Sequence, residues 1–159
     1  MTLHRRNKGF ATLFSLTVLL SAAVPLKSQS YFRNWPAGTS PREIGRRVAE
    51  NFVARKLEVE EGKRKFVIYP EACAWYGSLT VAQLTNDDDL RRRLIEKFDP
   101  FLGERANQIS SDAHVDYRVI GIVPLEIYLQ TKGQKYLDRG RGLADKQWEK
   151  PTPDGITAE

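Results

Sequence analysis

The sequence predicts an all-α fold made of helical hairpins. Three observations carry that expectation. Apolar residues recur at helical spacing in successive stretches, as in Ile44, Val48 and Phe52 and again in Leu90, Leu94 and Phe98. Ser40-Pro41-Arg42-Glu43 has the pattern of a capped helix start. Two Thr-led turns, Thr85-Asn86-Asp87 and Thr131-Lys132-Gly133, each separate an apolar stretch from an amphipathic one, and they lie 46 residues apart. That offset is the period of a helix-hairpin repeat.

Length and composition fit one globular domain: 159 residues, 41% hydrophobic and 28% charged. The net charge of +5 is unevenly placed. Arg5, Arg6, Lys8 and Lys27 fall in the first 27 residues, where there is no acid. Without those four the chain has 21 basic against 20 acidic residues. The basic balance therefore gives no clustered surface for nucleic acid. Arg5, Arg6 and Lys8 precede an apolar run from Phe10 to Leu20 and the small residues Ser21-Ala22-Ala23. This is the pattern of a secretory signal peptide over 1–27, with an uncleaved anchor as the alternative. The domain is then 28–159, and the protein is expected to be exported, periplasmic or extracellular. Cys73 is the single cysteine, so no internal disulfide is expected.

Residues 28–39 read as an extended lead-in, with the aromatics Tyr31, Phe32 and Trp35 lying on the domain. In the first helix Ser40 is the N-cap, Pro41 needs no amide at the first position, and Glu43 reaches back to the cap. The helix is expected to run to about Leu57 with Ile44, Val48 and Phe52 inward. The charged run 58–65, which contains Gly62, reads as a solvated loop. A second helix starts near Pro70 or Glu71 and runs to Leu84. Cys73, Trp75, Tyr76, Leu79, Val81 and Leu84 leave it little polar face, so burial on several sides is expected. The third helix follows Asp87-Asp88-Asp89, acids suited to a helix N-terminus. It turns Leu90, Leu94, Phe98 and Leu102 inward and Arg91, Arg92, Arg93 and Lys97 outward, and Pro100 bends or ends it. Residues 103–113 are a polar loop. Pro124 makes the next helix begin near Val123 or bend there. A last helix carries Tyr136, Leu137, Gly140, Ala144 and Trp148, weakened by Gly140 and Gly142.

Candidate chemistry sits at two helix starts. His114-Val115-Asp116-Tyr117 precedes one apolar helix, and Tyr69-Pro70-Glu71 through Trp75-Tyr76-Gly77 opens another. A carboxylate is costly to bury unless it is paired or used. Shifting Asp116 back by the repeat lands on Pro70, so both stretches fall at the same end of their helices. Tyr69, Glu71, Trp75, His114, Asp116 and Tyr117 would then line one polar, aromatic mouth suited to a sugar. The plainer alternative makes Trp75 and Tyr117 core rings and Asp116 a capping or loop acid. A Cys73–His114 thiol–imidazole pair is a third reading, set against a buried, inert Cys73.

From about Asn34 onward the chain resembles the N-terminal part of unsaturated rhamnogalacturonyl hydrolases, the glycoside hydrolase family 105 group related to family 88. The resemblance lies in Asn34-Trp35-Pro36 and Ser40-Pro41-Arg42-Glu43, the Tyr69–Gly77 stretch, His114-Val115-Asp116-Tyr117 with Val123-Pro124-Leu125-Glu126, and Ala144-Asp145-Lys146-Gln147-Trp148. It implies part of an (α/α)6 barrel acting on oligosaccharides that end in a 4,5-unsaturated uronic acid. In such enzymes an aspartic acid protonates the enol-ether double bond, water adds at the neighbouring ring carbon, and the hemiketal collapses to release the sugar. The resemblance implies no metal or cofactor. It makes Asp116 the first active-site acid and Trp75 an aromatic lining the sugar site, with Tyr76 and His114 as further binding residues; Tyr117 joins them as a binding residue from the mouth pattern. The protonating acid belongs to a later Trp-Ile-Asp-Asp-like segment that this sequence lacks. The chain is therefore expected to be an N-terminal fragment, inactive alone, with apolar helix sides uncovered. The alternative is a helical-repeat binding module without catalysis.

Overall fold

The computed structural model describes residues 33–112, 114–146, 148–149 and 151–155. The expected signal peptide and the aromatics Tyr31 and Phe32 lie outside the described residues. So does Gln147 of the last resemblance motif.

The helices, all within the unit Trp35–Glu159, are α1 (Pro41–Ala54), α2 (Tyr69–Thr85), α3 (Asp88–Phe98), α4 (Val115–Arg118), α5 (Ile122–Thr131) and α6 (Gln134–Lys146). No strand occurs among the described residues. The all-α, hairpin-built fold is as the sequence predicts: α1 packs on α2, α2 on α3 and α5, and α5 on α6.

Each start has its local cause. The Ser40 hydroxyl accepts from the Glu43 amide at 3.2 Å, and Glu43 accepts from the Ser40 amide at 3.1 Å, closing the capping box. A cap of this kind contributes about 1 kcal/mol. Pro70 stands in the first turn of α2, where its missing N–H costs nothing. Asp87 caps α3 by accepting from the Leu90 amide at 3.1 Å. Pro100 ends α3, and a 3-10 turn over Asp99–Leu102 follows. Pro124 sits in the first turn of α5, so the apolar run is divided into α4, a 3-10 turn over Val119–Gly121, and α5.

The repeat extends to geometry. Thr85 Oγ1 donates to the Val81 carbonyl at 2.7 Å, and Thr131 Oγ1 donates to the Ile127 carbonyl at 2.7 Å. The residues after them, Asn86 and Lys132, both take the left-handed conformation, with φ of 53° and 61°. That conformation is common at helix ends and uncommon for a lysine. The hairpins α2–α3 and α5–α6 thus turn by one device, and Gln130 Nε2 joins them by donating to the Leu79 carbonyl at 3.2 Å.

The core centres on Trp75, which is fully buried. Phe52, Phe98 and Phe101 meet its ring edge-on at centroid distances of 5.4, 5.5 and 5.9 Å, and its Nε1–H donates to the Leu94 carbonyl at 3.0 Å. Leu79, Leu90, Leu94, Ile120, Val123 and Ile127 complete the centre. Trp75 therefore presents no ring face to a sugar, and its expected place in a binding wall is corrected to the core.

Other expectations are corrected too. In α1 the inward residues are Ala49 and Phe52, while Ile44 is 43% and Val48 65% exposed. A line of every fourth residue drifts around a helix with 3.6 residues per turn. The face that meets α2 is marked by small residues: a Cβ on Gly45 would stand 3.2 Å from Val81. In α2 only one face is buried, through Ala72, Trp75, Leu79 and Ala82, and Cys73, Tyr76 and Leu84 are exposed. Trp148 is exposed, and α6 buries Tyr136, Gly140 and Leu143. The exposed apolar residues of α1, α2 and α5 include Val48, Leu84, Ile122 and Leu129.

Two of the α3 cations tie that helix to α1. Arg93 grips Glu50 of α1 through two bonds of 2.6 and 2.7 Å, which holds its guanidinium charged. The Lys97 amine donates to the Val53 and Arg55 carbonyls, at 3.3 and 2.7 Å, at the negative end of α1.

Candidate functional site

The chain between α1 and α2 is pinned rather than solvated. Leu57 and Val59 are buried within the charged run. Glu60 accepts from the Leu57 amide and pairs with Arg105 at 2.6 Å, and the Val67 amide donates to the Gln108 carbonyl at 2.9 Å. The fold thereby holds a set of cations against the start of α2.

Two clefts adjoin there. One, of about 300 Å³, is lined by Arg55, Lys56, Glu58, Lys63, Arg64 and Glu71 among others. The other, of about 310 Å³, is bounded by Phe66 and Tyr117 and shares Lys63, Arg64 and Ile68 with the first. Both volumes lie at the small end of ligand sites. Tyr117 comes from α4, so the starts of α2 and α4 lie side by side, as the repeat implies.

Glu71 is the floor of the first cleft and is 4% exposed. Its Oε1 accepts from the Glu58 amide at 2.8 Å, while Oε2 is buried with no partner among the described residues. Burial pushes its carboxyl above the ordinary value near 4.5, partly offset by the Glu58 amide. Below that ordinary value, folded and unfolded chains are both protonated. As the pH rises the unfolded chain ionises first, so stability falls until the folded carboxyl ionises as well. We expect Glu71→Gln, which keeps the accepting oxygen, to become progressively more stable than the parent as the pH climbs through this window. Urea midpoints of both proteins across the pH range check this, and parallel curves would exclude the raised pKa.

In the second cleft the Tyr117 ring stands 5.7 Å from Phe66 and 5.8 Å from His114. His114 caps α4: its Nδ1 accepts from the Asp116 amide at 3.2 Å, so a neutral ring carries its proton on Nε2. Asp116 Oδ2 lies 3.8 Å from the same nitrogen, with its side chain about half exposed. Arg118, two residues on, donates instead to the Ser111 carbonyl. A half-exposed carboxylate beside an imidazole and a tyrosine can accept from hydroxyl groups.

Of the residues singled out in the sequence, Tyr117 lines the second cleft and Glu71 the first; His114 stands beside the Tyr117 ring, Asp116 lies beside His114, and Tyr69 is half exposed and lines neither cleft. Tyr76 is partly exposed on α2 and lines neither cleft, and Trp75 is in the core. Cys73 is exposed and not buried as expected. Sequence reasoning placed Arg55 and Lys56 in the last turn of the first helix and passed over Lys63 and Arg64 as part of a solvated charge run. The signal that marks them is apolar Leu57 and Val59 inside that run, since a fully solvated loop has no use for them.

Among the described residues no group of three His, Cys, Asp or Glu side chains is arranged to hold a metal ion. Among the same residues no helix is long and apolar enough to cross a membrane. No known protein family, no curated protein and no solved structure matches the chain.

Proposed function

We propose that the chain is the N-terminal part of a glycoside hydrolase acting on oligosaccharides that end in a 4,5-unsaturated uronic acid. The observation that carries this reading is the paired cleft: Tyr117 walls it, His114 stands beside the Tyr117 ring with Asp116 next to His114, and the exposed Lys65 rims it. Rings stack on the C–H face of a sugar, carboxylates accept from its hydroxyls, and cations receive its carboxylate. In the proposed reaction Asp116 positions the uronate end. A separate aspartic acid, outside this sequence, protonates the double bond. Water then adds at the adjacent carbon, and the hemiketal collapses.

The test is calorimetric titration of the 159-residue chain with an unsaturated uronyl-rhamnose disaccharide, read beside the ultraviolet absorbance of its conjugated double bond. Binding without loss of absorbance is expected. Asp116→Ala and Tyr117→Ala should each weaken it at least tenfold, about 1.4 kcal/mol, with the helical circular dichroism unchanged. No binding by the folded chain would sink the proposal. The second reading, a helical-repeat binding module, is favoured by the exposed apolar residues Val48, Leu84 and Leu129. It gains if the folded chain ignores the disaccharide.

A further inference from the structure

We propose that the cleft over Glu71 is a second carbohydrate subsite that takes a sugar acid, with Arg55 and Lys56 receiving the carboxylate and the Glu71 carboxyl meeting a ring hydroxyl. The choice of ligand class rests on the sugar-binding reading above; the site itself rests on its own geometry.

The first ground is Glu71 Oε2. A buried polar atom without a partner costs about 1–3 kcal/mol, and this one lies in a side chain that lines an open cleft. Its neighbour Oε1 accepts from the Glu58 amide, and Oε2 is the buried carboxyl oxygen without a hydrogen bond among the described residues. The second ground is the charge around it. Lys63 is paired to Glu61 at 2.7 Å and Arg64 is paired to Glu58. Arg55 rests over the Phe52 ring at 5.3 Å, and Lys56 is exposed. Those two cations are left to meet an incoming anion. Burial raises the Glu71 carboxyl above its ordinary value, which lessens its repulsion of an incoming carboxylate.

A third ground is size and continuity. The cleft is of about 300 Å³ and meets the Tyr117 cleft across Lys63, Arg64 and Ile68. An oligosaccharide lying along both would place one unit against Tyr117 and an acidic unit over Glu71.

The experiment is calorimetric titration of the 159-residue chain with D-galacturonate, galactose and acetate. Galacturonate is expected to bind at least tenfold tighter than either of the others. The exposed substitution Lys56→Glu should abolish that preference and leave the helical signal unchanged. Glu71→Gln should retain binding, because its amide can bond the same hydroxyl, and Glu71→Leu should lose it. Glu71 also holds the Glu58 amide, so the Lys56 variant decides if the leucine variant fails to fold. Galacturonate binding no tighter than galactose or acetate would overturn the proposal, as would binding indifferent to Lys56→Glu. Asp116-dependent binding of the unsaturated disaccharide without any galacturonate binding would defeat this subsite alone. Galacturonate binding with no Asp116-dependent disaccharide binding would defeat the hydrolase reading and leave the subsite standing.

Discussion

Trp75→Ala should destabilise the fold by about 3–5 kcal/mol, a large share of the roughly 5–15 kcal/mol that holds an ordinary domain together. The side chain is fully enclosed, with three aromatic rings edge-on to it. Truncation leaves a cavity that these rings, fixed on α1, α3 and the turn after α3, can only partly close. Each edge-on contact adds about 0.5–1.5 kcal/mol beyond its buried area. The indole bond to the Leu94 carbonyl is lost as well, for about 1 kcal/mol. Trp75→Phe keeps most of the volume and should lose only about 1–2 kcal/mol. Urea denaturation followed by circular dichroism measures both. If Trp75→Ala falls within about 1 kcal/mol of the parent, the ring is not the centre of this core, and its place in a sugar wall is open again.

The sequence disclosed most where a local rule acts alone. The capping box at Ser40 and Glu43, the stop at Pro100 and the two threonine turns follow from chemistry within four or five residues, and the structure has each of them. It disclosed less where the outcome depends on which neighbour arrives. Ile44 and Val48 are apolar and regularly spaced, yet α2 approaches the side marked by Gly45 and Ala49, because small residues let two helices come close. Trp75, Tyr76 and Cys73 are consecutive or nearly so, and nothing in their composition says which of them meets the core. The helix phase decides it: Trp75 lies with Ala72, Leu79 and Ala82 on the buried face, and the other two lie off it.

The candidate site divides along the same line. The coincidence of two helix starts was legible, because a repeat carries position from one hairpin to the next. The cations were not, since a charged run reads alike whether it is solvated or pinned. What pins this one is non-local: Arg105 on Glu60, Gln108 on Val67 and Glu71 on Glu58. Those partners lie 45, 41 and 13 residues away in sequence. Only the folded chain brings them to the run and turns it into the wall of a cleft.

The two glycines of α6 offer a matched pair with opposite expected signs. Gly140 faces α5 so closely that an added Cβ would stand 2.5 Å from Leu125 Cγ and 3.3 Å from the Leu125 amide nitrogen. The Leu125 side chain can swing aside, but the backbone nitrogen of a packed helix cannot. Gly142, two residues on, has nothing within 4 Å of the same position. Replacing either glycine by alanine gains about 1 kcal/mol of helix propensity, so the difference between the two variants reports the contact alone. Gly142→Ala should stabilise the protein by about 0.5–1 kcal/mol. Gly140→Ala should lose about 1 kcal/mol net, as overpacking outweighs propensity, and Gly140→Val about 2–3 kcal/mol or more. Thermal and urea unfolding of the three variants would check the order. Equal behaviour of the two alanine variants would mean that α5 and α6 do not close on Gly140, and the second hairpin would then lack the tight crossing described above.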